Sequence, residues 1–132
     1  MESRLDPAMR KKILIIDDEK PLCEAAVDFL TDVGYDARYA LDGKTGLSMI
    51  EDYHPALLLL DIQMPEMNGL EVLKQLSTRF PDLQVVVISG FLDKEMTQKV
   101  IECGAAMSVD KPFKLEGLVI GVIKPLIGPP HL

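Results

Sequence analysis

Three short, unbroken runs of aliphatic residues most constrain what this chain can fold into. The runs ILII, ALLLL and VVVI occupy residues 13–16, 56–60 and 85–88. Runs of this length are typical of strands that are covered on both faces, as in a parallel sheet. Segments with helical periodicity separate them, and this alternation predicts parallel strands joined by crossover helices. The chain is therefore expected to be an α/β protein.

Two weaker strand patterns, at residues 37–41 and 106–109, bring the expected number of strands to five. The three aliphatic runs are expected to lie in strands at residues 12–17, 56–60 and 84–88, and a helical pattern follows every strand. This repeat predicts a flavodoxin-like (βα)5 three-layer sandwich, in which the five-stranded parallel sheet has the order 2-1-3-4-5.

The last helix carries a proline that we expect to end it. This helix begins near Leu115, and a proline costs about 3 kcal/mol inside a helix, so Pro125 predicts fraying or an end near Lys124. Ile120 and Ile127 fall off the apolar stripe of the helix, and both side chains are expected to point toward water.

Length and composition limit the classes of protein to which the chain can belong. Its 132 residues suffice for one domain, and its 48% hydrophobic and 27% charged residues are ordinary globular values. We expect a disordered arm at residues 1–10, the domain at 11–127 and a tail at 128–132. The net charge of −7 argues against nucleic-acid binding, which needs a basic face. No apolar run approaches the roughly 18 residues of a membrane span, and no signal peptide is recognisable, which predicts a cytoplasmic protein.

Polar residues follow four of the five predicted strands, at the edge where α/β sheets bind their ligands. They are Asp17-Asp18-Glu19, Asp61, Ser89-Gly90 and Asp110-Lys111-Pro112. Two carboxylates about 4 Å apart repel each other by roughly 4 kcal/mol at an effective dielectric constant of 20, so this cluster needs a cation. Hard oxygen ligands without a Cys or His cluster favour Mg²⁺ or Mn²⁺ over zinc. With Lys111 as a fixed positive charge and Ser89 as a hydroxyl donor, the group predicts a phosphoryl pocket in which Asp61 is the nucleophile.

Four separated motifs in this order resemble the receiver domain of two-component response regulators. They are ILIIDDE at 13–19, LLLLDIQMPEMNG at 57–69, VVVISG at 85–90 and GAAMSVDKPF at 104–113. The resemblance covers nearly the whole chain, from about residue 11 to residue 127.

The resemblance implies a role for each site residue. Asp61 would be the phospho-acceptor and Asp18 a direct Mg²⁺ ligand, with Asp17 acting through water. The backbone carbonyl of Gln63 would complete the protein ligands. Ser89 and Lys111 would hold the phosphoryl oxygens. The peptide bond between Lys111 and Pro112 is expected to be cis, as in the family.

Two positions depart from the family pattern. The switch hydroxyl, often a threonine in the family, is Ser89 here, which keeps the donor and loses a methyl group. The position three residues before Lys111, commonly Tyr or Phe, is Ser108. Without a large ring at that position, a signal is expected to travel through the loop after Ser89 and through Phe91.

The resemblance implies a phosphorylation-controlled switch. A sensor histidine kinase or histidine phosphotransfer protein would deliver the phosphoryl group to Asp61, and an output domain or target protein would read the changed surface. Such a domain catalyses its own phosphorylation and dephosphorylation and is no conventional enzyme. Phosphorylation-dependent homodimerisation through the face of the last helix is a further expectation.

Two alternatives remain at this point. The first is a Mg²⁺-dependent phosphatase with an aspartyl-phosphate intermediate, which needs an acid two residues after the nucleophile, where this chain has Gln63. The second is a protein-binding module that works without phosphorylation. The presence of Asp61, Asp18 and Lys111 counts against it.

Overall fold

Five parallel strands form the sheet at the centre of the computed structural model, which describes residues 9–65 and 67–130. The strands are β1 (Lys12–Ile16), β2 (Asp36–Ala40), β3 (Leu57–Asp61), β4 (Gln84–Ser89) and β5 (Met107–Asp110). Their order in the sheet is β2-β1-β3-β4-β5, and neighbouring strands pair in parallel register. The predicted fold class and strand order are confirmed.

A helix follows each strand. The helices are α1 (Lys20–Val33), α2 (Gly43–Tyr53), α3 (Gly69–Arg79), α4 (Lys94–Glu102) and a last helical stretch that begins with α5 (Leu115–Leu118). Asn68 and Asp93 cap α3 and α4, because their side chains accept hydrogen bonds from the backbone N–H groups of Glu71 and Met96 at 3.2 and 2.8 Å. Every predicted strand boundary lies within one residue of the observed one.

Side chains that alternate along the strands build two apolar layers, one on each face of the sheet. Ile13 and Ile15 pack in the layer beneath α1 and the last helical stretch. Leu14 and Ile16 pack in the opposite layer, beneath α2, α3 and α4. All five residues of β3 are buried, as expected for the central strand of a sheet covered on both faces. The domain is thus a three-layer sandwich.

The last helical stretch continues past the point at which we expected it to end. A π-helical turn over Val119–Ile123 follows α5, and α6 then runs over Lys124–Ile127. The prediction that Pro125 ends the helix near Lys124 is therefore wrong. Pro125 lies in the first turn of α6, directly after the π-helical turn, where a missing N–H is tolerated.

The π-helical turn also changes which side chains face the core. A π turn inserts an extra residue, so every residue after it is rotated relative to a continuous α-helix. Ile127 is half-buried and packs against the core, and the expectation that it points toward water is wrong. Ile120 lies within the turn and is 67% exposed, as expected.

The ends of the described chain contact the body of the domain. The hydroxyl of Tyr35 donates to the carbonyl of Gly128 at 2.9 Å, and Nζ of Lys11 donates to the carbonyl of Pro129 at 2.8 Å. These contacts tie the first residues of the predicted tail to the body. The predicted arm lies outside the described residues up to position 8. None of the described helices is long and apolar enough to cross a membrane.

Candidate functional site

The carboxyl ends of β1, β3, β4 and β5 bring the predicted site residues together. Asp17 directly follows β1, Asp61 and Ser89 are the last residues of β3 and β4, and Lys111 directly follows β5. Asp61 pairs with Ile88, so Ser89 lies one residue further along the neighbouring strand. Parallel strands that end at one edge thus place four residues from distant parts of the sequence in one site.

Three carboxylates form the acidic part of this site. Carboxylate oxygens of Asp17, Asp18 and Asp61 lie within 4.8 Å of one another. Asp17 is fully buried and Asp61 nearly so, whereas Asp18 is exposed. A cluster that has two buried carboxylates and one open to solvent can admit a cation from outside and hold it against the sheet.

Backbone N–H groups fix the orientation of the two buried carboxylates. Oδ1 of Asp17 accepts a hydrogen bond from the N–H of Glu19, and Oδ1 of Asp61 accepts one from the N–H of Gln63, both at 2.8 Å. In each case the partner lies two residues further along, in the turn that follows the strand. The other oxygen of each carboxylate, Oδ2, is thereby left for a cation.

Lys111 supplies the positive charge, and its ammonium meets three carboxylates. Nζ lies 2.7 Å from Oδ2 of Asp17, 3.0 Å from Oε1 of Glu19 and 3.2 Å from Oδ2 of Asp61. The contacts with Glu19 and Asp61 are hydrogen bonds, and the contact with Asp17 is an ion pair. Burial alone lowers the pKa of Lys111, but the contacts with Asp17, Glu19 and Asp61 outweigh it and raise the pKa well above its ordinary value. Lys111 is therefore a permanent cation in this site.

Ser89 adds a buried hydroxyl to the site. Its side chain is fully buried, and its Oγ makes no hydrogen bond within residues 9–65 and 67–130. A buried hydroxyl in this state costs about 1–3 kcal/mol, so such groups usually have a function. Ser89 ends β4 at the same edge of the sheet as Asp61 and Lys111, so its hydroxyl is a candidate donor to an acceptor bound at that edge.

The side chain of Gln63 joins the two loops that surround Ser89. Its Oε1 accepts from the N–H of Gly90 at 3.2 Å, and its Nε2 donates to the carbonyl of Phe91 at 3.3 Å. Gln63 therefore connects the loop after Asp61 to the loop after Ser89. Phe91 itself is 70% exposed.

The donor set fits a small, hard divalent cation. The carboxylates of Asp17, Glu19 and Asp61 contact the ammonium of Lys111, and Asp18 adds a further negative charge to the cluster, so the site carries excess negative charge. Mg²⁺ prefers oxygen ligands and often binds through only one or two carboxylates while keeping several waters. The exposed carboxylate of Asp18 leaves room for such waters.

Two contacts of this site were not anticipated from the sequence. In the sequence Glu19 is only part of an acidic run, yet its carboxylate contacts Lys111, 92 residues away. The resemblance implies only a backbone role for Gln63, whereas its side chain also accepts a hydrogen bond from the N–H of Gly90. Nothing in the local sequence reports either contact, because both arise from the meeting of distant strand ends.

Comparison with known proteins agrees with this geometry. Residues 13–122 match the family described as the response regulator receiver domain. The Streptococcus pneumoniae response regulator RR06 is 37% identical over 115 residues, which cover 87% of this chain and 52% of that protein. The Escherichia coli regulatory protein AtoC is 33% identical over 107 residues, which cover 81% of this chain and 23% of that protein. The crystal structure of a CheY-like receiver domain protein from Methanospirillum hungatei superposes with a TM-score of 0.82 at 28% identity, covering 88% of this chain and 93% of that one.

The match over residues 13–122 identifies a signalling domain. The chain belongs to the response regulator receiver domain family, and its role is that of a phosphoacceptor in two-component signalling. It spans about half or less of the curated relatives described above. The phosphatase alternative gains no support, because an acid is needed at position 63 and the Gln63 amide is engaged with the neighbouring loop.

Proposed function

We propose that Asp61 takes the phosphoryl group, and that a sensor histidine kinase or a histidine phosphotransfer protein supplies it as phosphohistidine. An oxygen of the Asp61 carboxylate attacks phosphorus, the bond between phosphorus and the histidine nitrogen breaks, and the imidazole keeps the electron pair. The product is an aspartyl phosphate on this chain. Hydrolysis by water later returns Asp61 to a carboxylate.

The other site residues hold the group that is transferred. Lys111 contacts Oδ2 of Asp61, and its ammonium can move to contact an oxygen of the phosphoryl group on Asp61. The hydroxyl of Ser89, which has no partner within the described residues, donates to a second phosphoryl oxygen. Both donors act on charge that develops as the phosphoryl group is transferred, and donors placed in advance in a buried site are effective for this.

Asp17, Asp18, Asp61 and the backbone carbonyl of Gln63 are the proposed protein ligands of Mg²⁺ or Mn²⁺. When bound, the ion supplies positive charge that neutralises the phosphoryl oxygens during transfer. The carboxylates keep that charge at the mouth of the site, since the oxygens of all three lie within 4.8 Å of one another. This cluster facing the ammonium of Lys111 is the observation that carries the proposal.

The phosphorylated domain is proposed to act through a changed surface. Phosphorylation adds about 1.5 to 2 negative charges and three acceptor oxygens, enough to draw Ser89 toward Asp61. The loop that carries exposed Phe91 follows Ser89 directly, and exposed Ile120 lies on the last helical stretch. We propose that this surface binds an output domain, a target protein or a second copy of the chain in the cytoplasm. We also propose that this domain binds neither nucleic acid nor a membrane.

Uptake of phosphate from acetyl phosphate tests the proposed function. Intact-protein mass spectrometry should show one added phosphoryl group in the presence of Mg²⁺, none with a chelator and none in Asp61→Asn. Equal labelling of the Asp61→Asn variant would overturn the assignment of Asp61. Absence of any labelling of the wild-type chain would favour the binding module that works without phosphorylation.

Sedimentation tests the proposed surface. Beryllofluoride, a mimic of the phosphoryl group, should increase self-association or partner binding, and Ile120→Lys or Phe91→Ala should weaken it. An unchanged mass, together with an unperturbed last helical stretch by NMR, would remove the grounds for this surface.

A further inference from the structure

The ammonium of Lys111 is already engaged by three carboxylates. Two of its three N–H donors are hydrogen-bonded, to Glu19 and Asp61, and the carboxylate of Asp17 forms an ion pair 2.7 Å from Nζ. Phosphoryl oxygens on Asp61 would extend beyond the carboxylate that Lys111 now contacts. For Lys111 to turn toward them, one of the present contacts has to weaken.

The contact with Glu19 is the least costly to lose. Asp17 is fully buried, and without a cation its charge would be uncompensated in the interior. The side chain of Glu19 is 60% exposed, so water can solvate its carboxylate once it leaves Lys111. Its backbone N–H also holds Asp17 at 2.8 Å, which fixes the main chain and leaves the side chain as the movable part.

We propose that Glu19 is a positioning residue that competes with the phosphoryl group on Asp61 for the ammonium of Lys111. The inference rests on the proposed function and assigns a role to a residue outside the metal cluster of Asp17, Asp18 and Asp61. In the unphosphorylated domain the carboxylate of Glu19 takes up one of the contacts of the Lys111 ammonium. Breaking that contact is part of forming the phosphorylated state, so Glu19 sets how readily this state forms.

Binding of beryllofluoride in the presence of Mg²⁺ measures this competition without turnover. An ion pair with one exposed partner is weak, so Glu19→Gln should tighten beryllofluoride binding by about two- to five-fold. Glu19→Asp keeps the charge but shortens the side chain, and it should tighten binding in the same direction. Glu24→Gln removes the same charge from an exposed position of α1, and it should leave binding unchanged.

Three results would overturn the proposal. The first is unchanged or weaker beryllofluoride binding in Glu19→Gln, since Asp61 alone would then give up its contact with Lys111. The second is beryllofluoride binding by Glu19→Asp that equals binding by the wild-type chain. The effect of Glu19→Gln would then come only from the loss of a long-range charge. The third is a loss of Mg²⁺ affinity in Glu19→Asp, measured by calorimetry without beryllofluoride, which would make Glu19 a metal ligand. Failure of the wild-type chain to bind beryllofluoride would instead contradict the proposed function itself.

Discussion

Replacing Lys111 by methionine should destabilise the domain because it leaves two buried carboxylates without a cation. Methionine keeps most of the aliphatic length of the lysine and removes the charge. In the wild-type chain, Lys111 is only 13% exposed and lies 2.7 Å from Asp17 and 3.2 Å from Asp61. Both carboxylates are buried, so water cannot replace the lost ammonium without entering the site.

The expected loss follows from the burial of the three groups. Breaking a buried ion pair by removing one partner costs about 3–5 kcal/mol. Removing Lys111 also removes the cost of burying its own charge, which places the expected loss near the lower end, at about 3 kcal/mol. The exposed contact with Glu19 adds less than about 1 kcal/mol. For a domain of this length the loss corresponds to a Tm lower by about 10 °C.

Urea unfolding followed by circular dichroism, with and without Mg²⁺, measures the effect. A divalent cation can supply part of the missing charge, so 10 mM Mg²⁺ should reduce the loss of Lys111→Met to about half. Lys99→Met is the matched control. Lys99 pairs with Glu95 at 3.2 Å on the exposed face of α4, and such a pair contributes about 0.5 kcal/mol or less. A loss below 1 kcal/mol for Lys111→Met, or one that Mg²⁺ does not change, would refute the reasoning.

Three further predictions concern the metal, the core and a buried thiol. By calorimetry, Asp18→Ala should weaken Mg²⁺ binding strongly, whereas Ser89→Ala should leave it nearly intact, and a large loss in the latter would contradict the division of roles. Gly46→Ala should cost about 1–3 kcal/mol in urea unfolding, because its Cβ would lie 2.3 Å from a core isoleucine of β1; Gly117→Ala, in open space, should be neutral or stabilising. Burial, followed by the nearby aspartate charge, raises the pKa of Cys23 to about 12, so the folded protein should keep this thiol protonated at pH 8. Iodoacetamide should then modify Cys23 only as fast as the domain unfolds, and rapid alkylation of Cys23 would contradict that burial.

The strands and the positions of the site residues could be predicted because the signals for both are local. Each aliphatic run identifies a buried strand, and the polar residue that ends the run must lie at the sheet edge. Asp17, Asp61 and Lys111 lie at the carboxyl ends of three different strands, and the parallel order of the sheet brings the two carboxylates within 3.2 Å of the Lys111 ammonium. Their proximity required only the strand order and no knowledge of side-chain conformations.

The π-helical turn and the contacts of Glu19 and Gln63 could not be predicted for the opposite reason. A proline is costly inside an α-helix, but the π-helical turn directly before Pro125 places it in the first turn of α6, and no local pattern in the sequence signals such a turn. The contact between Glu19 and Lys111 joins residues 92 positions apart, and that between Gln63 and Gly90 joins residues 27 positions apart. Both depend on where long side chains turn after the strands end, which no periodic pattern encodes.

Chemical trapping of the phosphorylated residue tests the central claim most directly. Borohydride reduces an aspartyl phosphate to homoserine, so treatment after incubation with acetyl phosphate and Mg²⁺ should place homoserine at position 61 by peptide mass spectrometry. The Asp61→Asn variant should show no homoserine at that position, and neither should the wild-type chain treated with a chelator. Homoserine at position 17 or 18 instead of 61, or a phosphoryl group that survives borohydride, would contradict the assignment of Asp61 as the phospho-acceptor.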